Sequence, residues 1–249
     1  MSGHSKWSTI KRRKEKVDAK KGRLFTRLIK EITIAAKQGG GDPDGNPRLR
    51  TAIATARSAS MPSDNIDRAI KRGTGELPGV VYEEVTYEGY GPGGVGVLVE
   101  TVTDNKNRTT SEIRRIFTRH GGNLGGVGCV SWMFEQKGVV LVEKGGLSEE
   151  ELLTKVLEAG AEDVRTEDES YEIICNPPTL DTLKDALRMS NIPFSSAEVT
   201  RVPQTTVKVT GHKAEQLLRL MEEMEEFEDV QNIYANFDIP DEVIQRVAS

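Results

Sequence analysis

Apolar residues recur at three- and four-residue spacing through Leu24, Phe25, Leu28, Ile29, Ile32 and Ala36, which draws one stripe along a helix. Gly39-Gly40-Gly41 ends that helix. Asn46-Pro47 is a second start, with Asn as the N-cap and Pro in the first turn. Leu49, Ala52, Ile53 and Ala56 form its buried face, and the helix stops before Met61-Pro62. Ser63 is placed to cap a third helix with Ile66, Ala69 and Ile70 inside and Gly73 closing it. Three short helices with small apolar stripes make an N-terminal helical domain. Residues 1–21 offer only Trp7, Ile10 and Val17 as apolar anchors, so they read as a mobile arm or as a helix ordered by a partner.

From Val80 onward the pattern changes to strands and helices. Residues 85–90 and 95–103 alternate as strands around the loop Gly91-Pro92-Gly93-Gly94. Thr109-x-x-Glu112 predicts a capping box opening a helix with Ile113, Ile116 and Phe117 inside. A Gly-rich strand region over 123–134 follows, then a strand at 138–143. Ser148-x-x-Glu151 is a second capping box, with Leu152, Leu153, Val156 and Leu157 on the core face. Strands near 163–165 and 171–175, a helix at 180–189 and a strand at 197–202 complete β-α-β-β-α-β, the order of a ferredoxin-like split unit. The tail supplies a strand (205–209), a helix (212–226) and a strand (230–236), only half of such a unit. Its other half is the 95–103 strand, the 109–120 helix and the strand after Gly122.

The expected fold is therefore multi-domain, α and α+β: an N-terminal three-helix domain followed by two ferredoxin-like α/β domains, one inserted in the other. The boundaries are 1–79 for the basic arm plus helical domain, 80–131 with 204–249 for the discontinuous domain, and 132–203 for the inserted one.

Charge adds a second asymmetry. The chain of 249 residues is acidic overall at net −5, yet its first 30 residues carry 11 Lys or Arg and two acids. Through residue 75 the balance is 18 basic to 7 acidic, and the remainder carries 16 basic and 32 acidic residues. Folding requires no such split, which points to a polyanionic partner for the basic part. Lys6, Lys11, Arg12, Arg13, Lys14, Lys20, Lys21, Arg23, Arg27 and Lys30 suit phosphate neutralisation, which adds affinity without reading sequence. Trp7 among them can stack on a base or pack on the helices. Nucleic acid is the expected partner.

Other chemistries find no residue set. Gly91-Pro92-Gly93-Gly94-Val95-Gly96 lacks the Gly-Lys-Ser/Thr of a phosphate loop, and strand rather than helix follows it. Asp42-Pro43-Asp44-Gly45-Asn46 lacks the register of a calcium loop. His4, His120 and His212 pair with no Cys or second His at metal-ligand spacing, and no nucleophile elbow or zinc helix occurs. No cofactor, membrane or small-molecule substrate is expected, and no catalysis. Cys129 and Cys175 are too few for a disulfide framework and suit a reducing, cytoplasmic setting.

The opening Met1-Ser2-Gly3-His4-Ser5-Lys6-Trp7, with Ile10-Lys11-Arg12-Arg13-Lys14, closely resembles the YebC family of PmpR-type regulators. The resemblance continues through Leu24-Phe25-Thr26-Arg27-Leu28, Asn46-Pro47-Arg48-Leu49-Arg50 and Met61-Pro62-Ser63-Asp64-Asn65. It runs on through Tyr87-Glu88-Gly89-Tyr90-Gly91-Pro92, Thr103-Asp104-Asn105-Lys106-Asn107-Arg108 and Gly121-Gly122-Asn123-Leu124-Gly125. It implies a non-enzymatic cytoplasmic protein with the same three-domain plan, whose basic motif maps onto Lys6, Trp7, Lys11, Arg12, Arg13 and Lys14. Bacterial relatives are described as DNA-binding transcriptional regulators, and mitochondrial ones as translational activators linked to ribosomes. The partner implied is DNA, or ribosomal or transfer RNA with the ribosome.

Overall fold

The computed structural model describes residues 19–145, 147–166 and 170–240, with side chains from residue 22 onward. It is an α+β structure with three large hydrophobic cores and two smaller clusters among the described residues.

The first core belongs to three helices, α1 (Ala19–Gly39), α2 (Pro47–Ser58) and α3 (Ser63–Thr74). Leu28, Ile32, Ala36, Leu49, Ile53, Ile66 and Ala69 meet there. Gly40 turns the chain out of α1 at φ +85°, and Asn46 starts α2. Its Oδ1 accepts from the Leu49 N–H at 3.1 Å, while its Nδ2 donates to the carbonyls of Ala35 (2.8 Å) and Gly40 (2.9 Å). One buried side chain thus closes one helix and opens the next. Gly73 is where α1 and α3 touch, since a Cβ there would stand 2.4 Å from the Thr33 carbonyl oxygen. Ser63 is the first helical residue rather than the cap. Pro62 holds the cap position without a side-chain bond.

A four-stranded sheet follows in the order β3-β1-β2-β9, formed by β1 (Glu83–Gly91), β2 (Val95–Thr103), β3 (Asn123–Leu124) and β9 (Val230–Ala235). All its pairings are antiparallel. α4 (Lys106–Arg119) and α7 (Gly211–Glu226) cover one face, burying Val97, Val99, Ile113, Phe117, Leu217 and Met221. α4 begins one turn before the expected capping box, because Asn105 accepts from the Arg108 N–H at 3.1 Å and caps it. Thr109 is instead a fully buried residue inside the helix.

The second sheet, β5-β6-β4-β7, comprises β4 (Phe134–Glu143), β5 (Ala161–Thr166), β6 (Ser170–Cys175) and β7 (Ser196–Pro203), again antiparallel throughout. α5 (Glu149–Leu157) and α6 (Leu180–Met189) cover it around Val140, Leu152, Val156, Ile173, Leu183 and Leu187. The Ser148 capping box forms as expected, with both its bonds to Glu151 present. Arg201 on β7 donates to Glu100 on β2 at 2.9 Å, tying the two sheets together.

Three strand expectations differ. The 205–209 segment contributes only β8 (Val207–Lys208), which pairs in parallel with β10 (Phe237–Asp238) outside both large sheets. β1 holds a central position in the first sheet instead, because its short turn to β2 makes that pairing local. Within 123–134 the ladder stops after Leu124, since the Glu88 carboxylate takes the backbone N–H groups of Gly128, Val130 and Ser131. β4 then starts at Phe134, before the expected 138.

Candidate nucleic-acid interface

Six of the residues expected at the interface, Lys6, Trp7, Lys11, Arg12, Arg13 and Lys14, lie outside the described residues. Lys20 and Lys21 are in the first turn of α1. The remaining three, Arg23, Arg27 and Lys30, occupy one face of α1, and all three turn toward the end of α7. Arg23 Nη1 stands 3.4 Å from Glu226 Oε1, and Arg27 Nη2 donates to the Glu225 carbonyl. Lys30 is only 6% exposed, with its Nζ 2.6 Å from Asp229 Oδ1 and 3.0 Å from the Glu228 carbonyl. The carbonyl end of a helix is negative and attracts cations. Lys30 is thus sealed in an ion pair rather than facing solvent, which corrects its expected place on a phosphate-binding surface.

Asp229 is itself 2% exposed and gathers more partners. Thr109 Oγ1 (2.7 Å), Arg108 Nη2 (3.0 Å) and Thr103 Oγ1 (3.2 Å) all reach its Oδ2. Burial pushes its carboxyl pKa up, but Lys30, Thr109 and Arg108 outweigh that and hold it below the ordinary value. This latch fixes the helical domain to the first sheet.

Cations that do face solvent lie elsewhere on the helical domain. Arg50 and Arg57 on α2, and Arg68, Lys71 and Arg72 on α3, are exposed. Spacings of three and four residues put Arg68, Lys71 and Arg72 on the α3 face opposite the buried Ile66 and Ala69, while Arg50 and Arg57, seven residues apart, flank the buried Leu49 and Ile53 of α2. The sequence signal for them was the charge balance, which stays positive through residue 75 rather than stopping at Lys30. Arg48 is different, being held by Glu31 (2.7 Å) and Glu84 (2.6 Å). These three line a cleft of about 260 Å³ with Glu100 and Gln231, between the helices and the first sheet. Its three carboxylates make it the wrong sign for phosphate.

A second titratable cluster among the described residues joins α4 to α7. His120 Nε2 is hydrogen-bonded to Glu223 Oε2 at 2.5 Å, with Arg115 and Arg119 each 3.1 Å from Oε1. Burial pushes the Glu223 carboxyl pKa up, but the hydrogen bond from His120 and the charge of Arg119 outweigh that and hold it below its ordinary value. With every member paired, the cluster reads as a helix staple. Among the described residues no group of three or more His, Cys, Asp or Glu could hold a metal, and no helix is long and apolar enough to cross a membrane.

Residues 5–76 match the TACO1/YebC N-terminal domain, and residues 82–237 match the TACO1/YebC second and third domain. The chain belongs to the YebC/PmpR family. A family member from Dictyoglomus turgidum, named a probable transcriptional regulatory protein, is 59% identical over the full length of both chains. One of the same name from Syntrophus aciditrophicus is 56% identical, also over both full lengths. The crystal structure of a conserved hypothetical protein from Aquifex aeolicus is 51% identical and superposes with a TM-score of 0.79, covering 90% of this chain and 93% of that one. The names of the two curated relatives describe a probable regulatory role.

Proposed function

We propose that this chain is a non-enzymatic, cytoplasmic regulator of gene expression that binds DNA through its N-terminal arm and helical domain. The observation that carries this reading is the separation of charge. Exposed Arg50, Arg57, Arg68, Lys71 and Arg72 continue the cationic run of Lys6, Lys11, Arg12, Arg13 and Lys14, while residues 76–249 carry 32 acids against 16 bases. The acidic part repels the same phosphates, so such a protein docks in one orientation rather than coating DNA. The strand orders β3-β1-β2-β9 and β5-β6-β4-β7 fit two ferredoxin-like domains, at 80–131 with 204–249 and at 132–203, as the orienting body. Among the described residues no recognition helix presents Arg, Asn or Gln to a major groove in an ordered row, which leaves ribosomal or transfer RNA as the alternative partner.

The test is a salt titration with Arg12, Arg13 and Lys14 changed to Ala. Binding should weaken, and the slope of log K against log salt should flatten by about 0.9 per lost contact on duplex DNA, or about 0.7 on a single strand. Absence of binding to DNA and RNA at low salt overturns the proposal, and an unchanged slope moves the interface away from the arm.

A further inference from the structure

The loop of residues 125–132 is built around a carboxylate that faces inward. Glu88 on β1 is 5% exposed, and its two oxygens accept from the backbone N–H groups of Gly128, Val130 and Ser131, each at 2.8 Å. Burial raises its pKa and those donors more than offset it, so the carboxyl lies below its ordinary value and is charged at neutral pH. The Gly125 N–H donates to the Glu88 carbonyl at 2.7 Å, and the Tyr90 hydroxyl to the Cys129 carbonyl at 2.9 Å. Val130 anchors the segment, fully buried with Leu98, Phe134 and Tyr234. Burying a carboxylate is costly unless it is well bonded. A mere connector between β3 and β4 has no need of so fixed a shape.

What the loop holds outward is apolar and flat. Val127 is 97% exposed and Trp132 is 65% exposed. The indole N–H of Trp132 already donates to the Cys129 carbonyl at 3.1 Å, so the ring offers its faces rather than its one donor. Gly126 lacks a positive φ, and a Cβ there would meet nothing within 4 Å. Nothing inside the chain requires glycine at that position, whereas a bare backbone lets an outside group come close. From Gly121 to Phe134 the sequence carries no charged residue, so the loop suits neither a phosphate nor an acidic peptide.

A flat uncharged ring fits these features, and in a chain with so cationic an N-terminal part that ring is a nucleobase. We propose that Trp132 stacks on an unpaired base of the nucleic-acid partner, with Val127 and the bare Gly126 backbone against the neighbouring nucleotide. This rests on the nucleic-acid reading above. Bases inside a duplex already stack on both sides, so the partner presents a single-stranded element at this loop while the arm and helices neutralise its phosphates.

Affinities are compared by anisotropy in the chain with Trp7 intact, and because the chain has two Trp, Trp7→Phe, which leaves Trp132 as the only indole, serves the emission readout alone. Labelled oligo(dT), oligo(U) and a DNA duplex of matched length are titrated at low salt, with anisotropy reporting binding and Trp132 emission reporting stacking. A single strand should bind and quench Trp132, and the strand that quenches more identifies DNA or RNA as the source of the base. Trp132→Ala should weaken single-strand binding by about 5- to 100-fold with the salt slope unchanged, and Trp132→Phe should retain most of the affinity. Thermal unfolding of these surface variants should match the parent. Binding of the duplex alone, or of a single strand with Trp132 emission and Trp132→Ala affinity unchanged, overturns the inference while leaving nucleic-acid binding intact. Absence of any binding by anisotropy overturns both together.

Discussion

Removing the Asp229 carboxylate should release the helical domain from the rest of the chain. In Asp229→Ala the Lys30 ammonium stays buried with the Glu228 carbonyl, at 3.0 Å, and the face of the Tyr82 ring, 5.9 Å away, but no counter-charge, while Thr103 and Thr109 lose an acceptor. Breaking a buried pair from one side costs about 3–5 kcal/mol, because it leaves an uncompensated charge. Lys30→Met should cost less, since Asp229 keeps Arg108, Thr103 and Thr109. Joining Lys30→Met with Asp229→Ala should restore part of the loss, giving a coupling of about 1–3 kcal/mol in the double-mutant cycle. Hydrogen exchange of the α1 and β9 amides reads the local opening directly. The pH dependence has a definite sign: with the Asp229 pKa depressed by folding, the latch is intact above the unfolded carboxyl value of about 3.9 and fails as pH falls through the lower folded value. A coupling below about 0.5 kcal/mol would refute the latch, as would α1 protection that declines steadily from pH 7.

Two further outcomes follow from single buried side chains. Glu88→Ala strands three backbone donors and should cost about 2–4 kcal/mol, with new proteolytic cleavage confined to 125–132; protection equal to the parent would show that the loop does not depend on the carboxylate. Asn46→Ala loses a cap and two donors and should cost about 2 kcal/mol in thermal unfolding. Asn46→Asp should do no better, because a carboxylate would face the carbonyls of Ala35 and Gly40.

Local pattern was enough wherever the structure is made by neighbours in sequence. The stripe from Leu28 to Ala36, the Asn46-Pro47 start and the Ser148 capping box each depend on residues within a turn or two, and each formed where expected. Pairing between distant segments left no such mark. Residues 205–209 alternate like any strand, and nothing in them says that the partner is β10 in parallel. Thr109 matched a capping motif, but Asn105 competes for the same helix start, and the Thr109 hydroxyl belongs to an acid 120 residues away. Charge was legible in sum and not in detail. A run of cations looks the same whether it faces phosphate or, like Arg23 and Lys30, the end of another helix. Glu88 reads as an ordinary polar residue on an alternating strand, since its three partners lie about 40 residues on.

The internal use of Lys30 bears directly on how a polyanion would bind. Exposed charges are screened over about 8 Å at physiological ionic strength, and a buried pair is screened much less. Salt should therefore weaken contacts made by Arg50, Arg57, Arg68, Lys71 and Arg72 while the Lys30–Asp229 pair keeps the helical domain seated on the acidic body. The salt slope then counts phosphate contacts alone, without an added contribution from domain opening. In the Asp229→Ala variant the two processes should mix: a helical domain free to tumble loses the fixed orientation of its cations against the acidic sheets. That variant should bind more weakly with the same exposed cations, since the orientation must then be fixed at the moment of binding. Unchanged affinity would mean that the acidic body contributes nothing to how the cationic surface meets its partner.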